Sequence, residues 1–304
     1  MKAFISILLM IGVTSVFAQQ SKSYLQLADS LYAKQNWKEA RSNYLKYTND
    51  TSTNAIAWNR LGYSNHNLGF YDEALRDYQK ALDNKPSPPV RGVAMARMAR
   101  VYSLINKPDD AAKWLLKVGA TGYNILPDLD TLADFKNIRV AANYTDIKKQ
   151  VYESVYPCAA QPHSHDFDFW IGEWDVYQTG TKFLVGHSSV QSISGGCAIL
   201  ENWTSTQASL GKSINYYNSA TGKWEQDWIG SAGGPQRYLD GVYKDSVMHF
   251  TYENVTNNKK VTGNFKFYNI DKNTVRQYQD VNNDDGKTVT VSYDFTYVRK
   301  RLKD

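Results

Sequence analysis

The chain has 304 residues, and at roughly 100–200 residues per domain this length predicts two folded units. Hydrophobic residues make up 42% and charged residues 21% of the sequence, which excludes a fibrous or wholly disordered chain. The 35 Lys and Arg side chains exceed the 30 Asp and Glu by a net charge of +5, too little for a dedicated nucleic-acid-binding protein. We therefore expect a globular protein without a nucleic-acid partner.

The first residues have the pattern of a secretory signal peptide. Lys2 precedes an apolar run from Ala3 to Val13, and Val16-Phe17-Ala18 has the small-x-small pattern of a cleavage site. The run is shorter than the ~20 residues that span a bilayer, and no Cys follows it to carry a lipid anchor. The sequence predicts a signal peptide over 1–18 and a periplasmic or secreted mature chain without a membrane span.

A helical repeat is clearest between Ala55 and Pro88. Its marker residues are Trp58, Leu61, Gly62, Ala74, Tyr78, Ala81 and Pro86. These positions resemble the tetratricopeptide repeat, in which Trp, Leu and Gly lie on the first helix of a pair and the small and aromatic residues on the second. The resemblance extends over 21–118.

The same register recurs before and after this unit. Small residues stand at positions 8 and 20 of each unit: Ala28 with Ala40, Gly62 with Ala74, and Ala99 with Ala111. Small side chains let the two helices approach closely, while large residues fill the space between neighbours. The sequence predicts three tetratricopeptide repeats over 19–118, then a helical capping extension and linker over 119–157.

Three stacked repeats form a groove lined mainly by the first helix of each. The family resemblance implies a protein or peptide partner there, and the groove positions with their neighbouring arginines are Leu25, Asp29, Tyr32, Asn59, Arg60, Tyr63, His66, Arg97, Arg100 and Ser103. The family's carboxylate-clamp variety has Lys and Asn where this chain has Leu25 and Asp29, so it departs from that mode. The positive charges of Arg60, Arg97 and Arg100 leave open the possibility that the partner is acidic.

Beyond Pro157 the helical period gives way to alternating apolar and polar residues in runs separated by Gly, Asn and Asp. The predicted strands are 167–177, 182–193, 198–204, 213–218, 223–230, 236–242, 247–253, 261–268, 275–281 and 288–299. Their connections are too short for crossover helices, so neighbours pair antiparallel, and closure removes the exposed edges. We predict a multidomain α then β chain with a closed antiparallel barrel of about ten strands over 158–304.

Four motifs of this half resemble an uncharacterised bacterial family of lipocalin-like (calycin-type) barrels. They are Phe167-Asp168-Phe169-Trp170-Ile171-Gly172-Glu173-Trp174, Gly196-Cys197-Ala198-Ile199-Leu200-Glu201-Asn202-Trp203, Gly222-Lys223-Trp224 with Trp228, and Tyr297-Val298-Arg299-Lys300. The resemblance covers 158–301. It implies the barrel fold but no activity, because the family has no agreed activity.

Aromatic residues in such a barrel either pack its core or line a ligand cavity. The candidates for a cavity wall are Trp174, Trp203, Tyr216, Trp224, Trp228, Arg237 and Tyr238. An aromatic interior with few charges would accept a small apolar ligand, and a second docking surface is the alternative.

Cys158 and Cys197 are the only cysteines in the sequence. An oxidising compartment would permit them to pair, and closing a loop of about 40 residues would stabilise the fold by about 4 kcal/mol. Two separate thiols, one in a linker and one in a strand, are the alternative.

The sequence contains no cofactor-binding or nucleophile motif, so we predict no cofactor. The acid–base candidates are Glu173 and Glu201, for an alternative in which the chain is a periplasmic enzyme that uses carboxylates of the barrel cavity. The metal candidate, around His163 and His165, has no second cluster to close it, and we predict no metal site. The scaffolds favour an exported, non-enzymatic binding protein.

Overall fold

A computed structural model describes residues 23–50, 53–256, 259–283 and 288–300. The chain forms two compact units that divide between Val155 and Tyr156. The predicted signal peptide lies outside the described residues, so export stays a prediction. Among the residues described, no helix has the length and apolar character needed to cross a bilayer.

The first unit consists of helices. They are α1 (23–33), α2 (Trp37–Asp50), α3 (Ala55–Asn67), α4 (Tyr71–Asp83), α5 (Pro88–Leu104), α6 (Pro108–Gly119), α7 (Leu126–Thr131), α8 (Lys136–Arg139) and α9 (Tyr144–Val155). Helix α3 packs against α4, and α5 against α6. Helix α3 begins where the Asn54 side chain accepts a hydrogen bond from the Ala57 N–H at 3.1 Å. The predicted helical repeat region is confirmed.

The predicted small residues lie in the helix contacts. All six are buried: Ala28, Ala40, Gly62, Ala74, Ala99 and Ala111. Gly62 shows why, because a Cβ at this position would lie 2.7 Å from the ring of Tyr78, which is itself fully buried. The close approach of α3 and α4 therefore requires glycine here.

We expect Gly62→Val to lower the free energy of unfolding by about 1–3 kcal/mol, because the added side chain must displace the Tyr78 ring. Urea denaturation of the full chain, followed by circular dichroism at 222 nm, measures this loss. Asn67→Val places the same side chain at an exposed position of α3 and should change stability by less than about 0.5 kcal/mol. Equal losses in the two variants would show that Gly62 is not a packing contact.

The second unit is a closed barrel of ten antiparallel strands in which β1 pairs with β10. The strands are β1 (Gly172–Gln178), β2 (Leu184–Ile193), β3 (Ala198–Ser205), β4 (Leu210–Asn218), β5 (Lys223–Gly230), β6 (Pro235–Lys244), β7 (Val247–Thr256), β8 (Lys259–Asp271), β9 (Thr274–Asn283) and β10 (Thr288–Arg299). The predicted closed barrel is confirmed. The predicted start of the first strand is wrong, because Asp168–Trp170 forms a 3-10 helix.

That 3-10 helix places aromatic side chains in one end of the barrel. Phe167 and Trp170 stack with their ring centroids 5.1 Å apart, and Trp170 lies 4.6 Å from Phe267. All three rings are fully buried. The end of the barrel at which β1 begins is therefore a packed core.

A disulfide joins Cys158 to Cys197, with their Cα atoms 5.4 Å apart. Cys158 belongs to the 3-10 helix Pro157–Ala160, and Cys197 immediately precedes β3. The bond ties the segment ahead of β1 to the turn between β2 and β3.

Candidate functional site

The other end of the barrel contains a cavity of about 420 Å³. Its lining comes from the start of β2, the end of β3 with the following loop, the end of β5, the start of β6, and strands β8, β9 and β10. Phe183, which is 61% exposed, lies at its rim.

Aromatic rings form one wall of this cavity. Trp203 and Phe295 lie nearly parallel, with ring centroids 6.3 Å apart. Trp203 packs over Gly186, where a Cβ would come within 2.6 Å of its ring, and Trp228 covers Gly211 in the same way. The two glycines therefore give the two indoles room to lie flat against the neighbouring strand.

A carboxyl group, that of Glu201, lies deeper in the cavity and is 3% exposed. Ser188 donates to its Oε1 at 2.8 Å, Ser213 to its Oε2 at 3.1 Å, and the Tyr297 hydroxyl lies 3.4 Å from Oε1. Burial raises the pKa of Glu201 to about 7, and the hydroxyl donors oppose a further rise. This carboxyl is thus poised to gain or lose its proton near neutral pH.

Side-chain amides complete the polar part of the lining. Tyr297 donates to Gln277 Oε1 at 3.1 Å, and Tyr238 donates to Gln279 Oε1 at 2.8 Å. The Nε2 of Gln236 is buried and has no hydrogen-bond acceptor among the described residues. The cavity combines an aromatic wall with a polar floor that has a donor to spare.

Of the predicted cavity residues, the structure places three in the lining: Trp203, Trp228 and Tyr238. Trp174 and Trp224 instead belong to the packed core. Their indole N–H groups donate to the carbonyls of Trp170 and His163, both at 2.9 Å. These two side chains therefore stabilise the packed end of the barrel, at which β1 begins.

The placement of Tyr216 and Arg237 in a cavity wall is wrong. Arg237 donates to Asp227 at 2.9 Å, and Tyr216 donates to Glu225 at 2.9 Å. Alternation along the strands turns both side chains outward, because Tyr238 next to Arg237 lines the cavity and Asn215 next to Tyr216 is buried inside the barrel. They form a charged cluster on the outer surface.

Glu173, the other acid–base candidate, also lies outside. It is exposed, and its Oε1 accepts a hydrogen bond from Ser189 at 2.6 Å. Among the described residues that line the cavity, Glu201 is the sole carboxylate. The structure does not assemble there the pair of carboxylates that glycoside hydrolysis requires.

The histidines of the metal candidate pair locally. His163 Nδ1 lies 2.9 Å from Asp166, and His165 Nδ1 lies 2.8 Å from Asp168. Within the described part of the chain, no three His, Cys, Asp or Glu side chains are grouped to hold a metal ion.

The polar floor was not predicted from the sequence. Its members Gln277 and Gln279 stand two residues apart at inward positions of β9, and the buried Ser213 and Asn215, which do not line the cavity, have the same spacing on β4. Polar residues at the alternate strand positions where a packed barrel has apolar residues would have indicated a cavity.

In the helical unit, the predicted groove residues of α1, α3 and α5 lie together. The Arg97 guanidinium stacks on the Tyr63 ring at 3.9 Å and donates to Asn59 Oδ1 at 3.0 Å and to the Tyr32 hydroxyl at 2.9 Å. Leu25 packs against the apolar cluster of the first helices. Arg97 is thus a cation held by neutral groups.

The other two arginines have carboxylate partners within the unit. Arg60 pairs with Asp29 at 2.6 Å, and Arg100 pairs with Asp134 at 2.7 Å. The His66 Nε2 lies 3.2 Å from the same Asp134 carboxylate. These contacts weaken the case for an acidic partner at Arg60 and Arg100.

Ser103 is buried beneath the capping segment and does not line an open groove. Its hydroxyl accepts from the Ile138 N–H at 3.4 Å, and its carbonyl accepts from the Asn137 side chain at 3.0 Å. The segment Ala133–Arg139 therefore covers the third repeat's end of the groove. The other predicted groove residues lie on α1, α3 and α5.

The tetratricopeptide-repeat family model matches residues 55–88. No curated protein matches the chain. Similar solved structures include a TPR2B domain of yeast Sti1 in a complex with pHsp70 (14% identity, 46% of this chain and 98% of that one, TM-score 0.32), MamA (15%, 49% and 86%, 0.34) and YrrB, described as a TPR protein with an unusual peptide-binding site (19%, 51% and 78%, 0.35). The matched residues are those of α3 and α4 with the residues that follow, so this helix pair is similar to a tetratricopeptide repeat.

Proposed function

We propose that this chain is an exported, non-enzymatic binding protein. The helical repeats bind a protein or peptide partner, and the lipocalin-like barrel binds a small, largely apolar ligand. The observation that carries the proposal is the cavity of about 420 Å³ in the barrel, bounded by stacked aromatic rings.

The size and chemistry of the cavity support ligand binding. Its volume lies in the range of roughly 300–1,000 Å³ that is usual for small-molecule sites. A purely structural barrel would gain stability by filling this space with side chains, and the Gln236 Nε2 has no acceptor among the described residues. A ligand with a hydrogen-bond acceptor would satisfy that donor while its rings contact the tryptophans.

A cluster of half-buried aromatic rings on α1, α2 and α3 supports a protein partner. The Trp37 ring lies 5.4 Å from Tyr32 and 5.5 Å from Tyr63, and all three are half-buried. Together with Arg97 they are the residue types that dominate the binding energy of protein interfaces.

We expect the full chain to bind the neutral fluorescent probe N-phenyl-1-naphthylamine saturably, and Trp228→Ala to weaken that binding by about tenfold or more. The variant removes a ring that lines the cavity, and about 1.4 kcal/mol of lost contact is tenfold in affinity. Fluorescence titration measures both affinities. Ile229→Ala, next along β5 on the outer face and 60% exposed, is the matched control. Unchanged binding by Trp228→Ala, or no saturable binding by the wild-type chain, would refute the cavity as a ligand site.

A further inference from the structure

The cavity of the proposed function contains one acidic side chain, Glu201, and its described lining includes no Lys, Arg or His. Both carboxylate oxygens of Glu201 accept hydrogen bonds from hydroxyl groups, those of Ser188 and Ser213. Donors on both oxygens suit the ionised form, because a carboxylate only accepts hydrogen bonds. The described residues around Glu201 thus supply hydrogen bonds to this carboxylate but no counter-charge.

The pairing register of the strands places the rings of Trp203 and Trp228 beside this carboxyl. Glu201 is directly opposite Ser213, and Ser213 is directly opposite Trp228. Trp203 is two residues from Glu201 on the same face of β3, a separation of roughly 7 Å. A group bound at the Glu201 carboxyl would therefore have the two indoles next to it.

A buried carboxylate without a counter-ion is costly, and the faces of Trp rings attract cations. Both effects favour the same kind of ligand. We propose that the cavity selects a small organic cation, an amine whose ammonium group pairs with Glu201 and whose hydrocarbon or ring portion lies against Trp203 and Trp228. This inference rests on the proposed function of the barrel.

The ionisation of Glu201 gives the proposal a pH signature. Burial raises its pKa to about 7, so the ammonium must bind the minor form at pH 6 and the major form at pH 8. The hydroxyls of Ser188, Ser213 and Tyr297 face Glu201, and Tyr238 and Tyr293 also interact with its charge. Burial raises the pKa of all three tyrosines above the usual range, so they stay neutral between pH 6 and pH 8. Amine binding should therefore strengthen as the pH rises from 6 to 8, and it should release a proton at pH 6.

Isothermal titration calorimetry of the full chain tests the proposal with tryptamine and with 3-propylindole, its neutral isostere. At pH 8 we expect tryptamine to bind at least tenfold more tightly than 3-propylindole. Glu201→Gln should lower the affinity for tryptamine at least tenfold, abolish its pH dependence, and leave 3-propylindole binding unchanged. Glu173→Gln makes the same substitution on the outer face of the barrel and should behave as the wild-type chain.

The free energy of unfolding, measured as a function of pH, shows whether Glu201→Gln is folded. The wild-type carboxyl has a pKa of about 7 when folded against 4.5 when unfolded, so its protonated form contributes stability that is present below pH 4.5 and lost as the pH rises through 7. The unfolding free energy of Glu201→Gln should lack this decline.

Equal affinity for the amine and its isostere, or tryptamine binding that Glu201→Gln leaves intact, would overturn the selection of a cation. Binding of N-phenyl-1-naphthylamine without binding of tryptamine would overturn it as well, while the ligand cavity would stand. If the chain binds none of the three compounds, the proposed function of the barrel and this inference are both refuted.

Discussion

Trp170→Ala is expected to lower the free energy of unfolding of the barrel by about 3–5 kcal/mol. The ring is fully buried between Phe167 and Phe267, at centroid distances of 5.1 and 4.6 Å. Its removal leaves a cavity that these neighbours cannot collapse to fill, because strands hold the surrounding core. Chemical denaturation of the full chain, followed by near-ultraviolet circular dichroism, measures the loss.

Trp228→Ala is the matched control, since it makes the same change in the ring that lines the ligand cavity. Trp228 is only partly buried and already borders open space, so we expect its loss to be less than half as large. Trp170→Phe should also be milder than Trp170→Ala, because it keeps a ring and removes an indole N–H that has no acceptor among the described residues. Losses of equal size at positions 170 and 228 would contradict the division of the barrel into a packed end and a ligand end.

Removing the disulfide with Cys158→Ser and Cys197→Ser together should cost about 4 kcal/mol of barrel stability. The two residues are 39 apart, and the bond reduces the conformational freedom of the unfolded chain by closing that loop. The shift of the denaturation midpoint under non-reducing conditions measures the effect.

Wild-type protein treated with dithiothreitol is the control for this experiment. Its denaturation midpoint should move to that of the double variant, and further dithiothreitol should not affect the variant. A midpoint that stays unchanged on reduction would show that the bond contributes nothing to barrel stability.

The helical repeat could be predicted because its constraint is local. The Gly62 and Ala74 pair stands at a spacing that places small side chains where two consecutive helices touch. Burial of Gly62 against Tyr78 follows directly from that spacing. The capping segment was predicted as helical, but its cover over Ser103 depends on a contact 35 residues along the chain, which no short-range pattern contains.

The strands of the barrel could also be predicted, but which face points inward could not. Strand β6 illustrates the reason, since its register shifts between Leu239 and Val242, so that Tyr238 and Gly241 are both buried although three residues apart. A pattern of strict alternation assigns one of them to the wrong face. Arg237 belongs to the same strand and points outward, because it directly precedes the inward-pointing Tyr238.

Composition and periodicity determined the two scaffolds of this protein, because helix contacts and strand alternation repeat over short stretches of chain. Whether Glu173 or Glu201 reaches the interior depended on closure of the barrel, which sets one face of every strand inside at once. Pairing of β3 with its neighbours β2 and β4 brings Ser188 and Ser213 to the Glu201 carboxyl, and closure adds Tyr297 from β10. The contact between Tyr297 and Glu201 joins residues 96 positions apart and forms only when the sheet closes, so the chemistry of the cavity is a property of the tertiary structure.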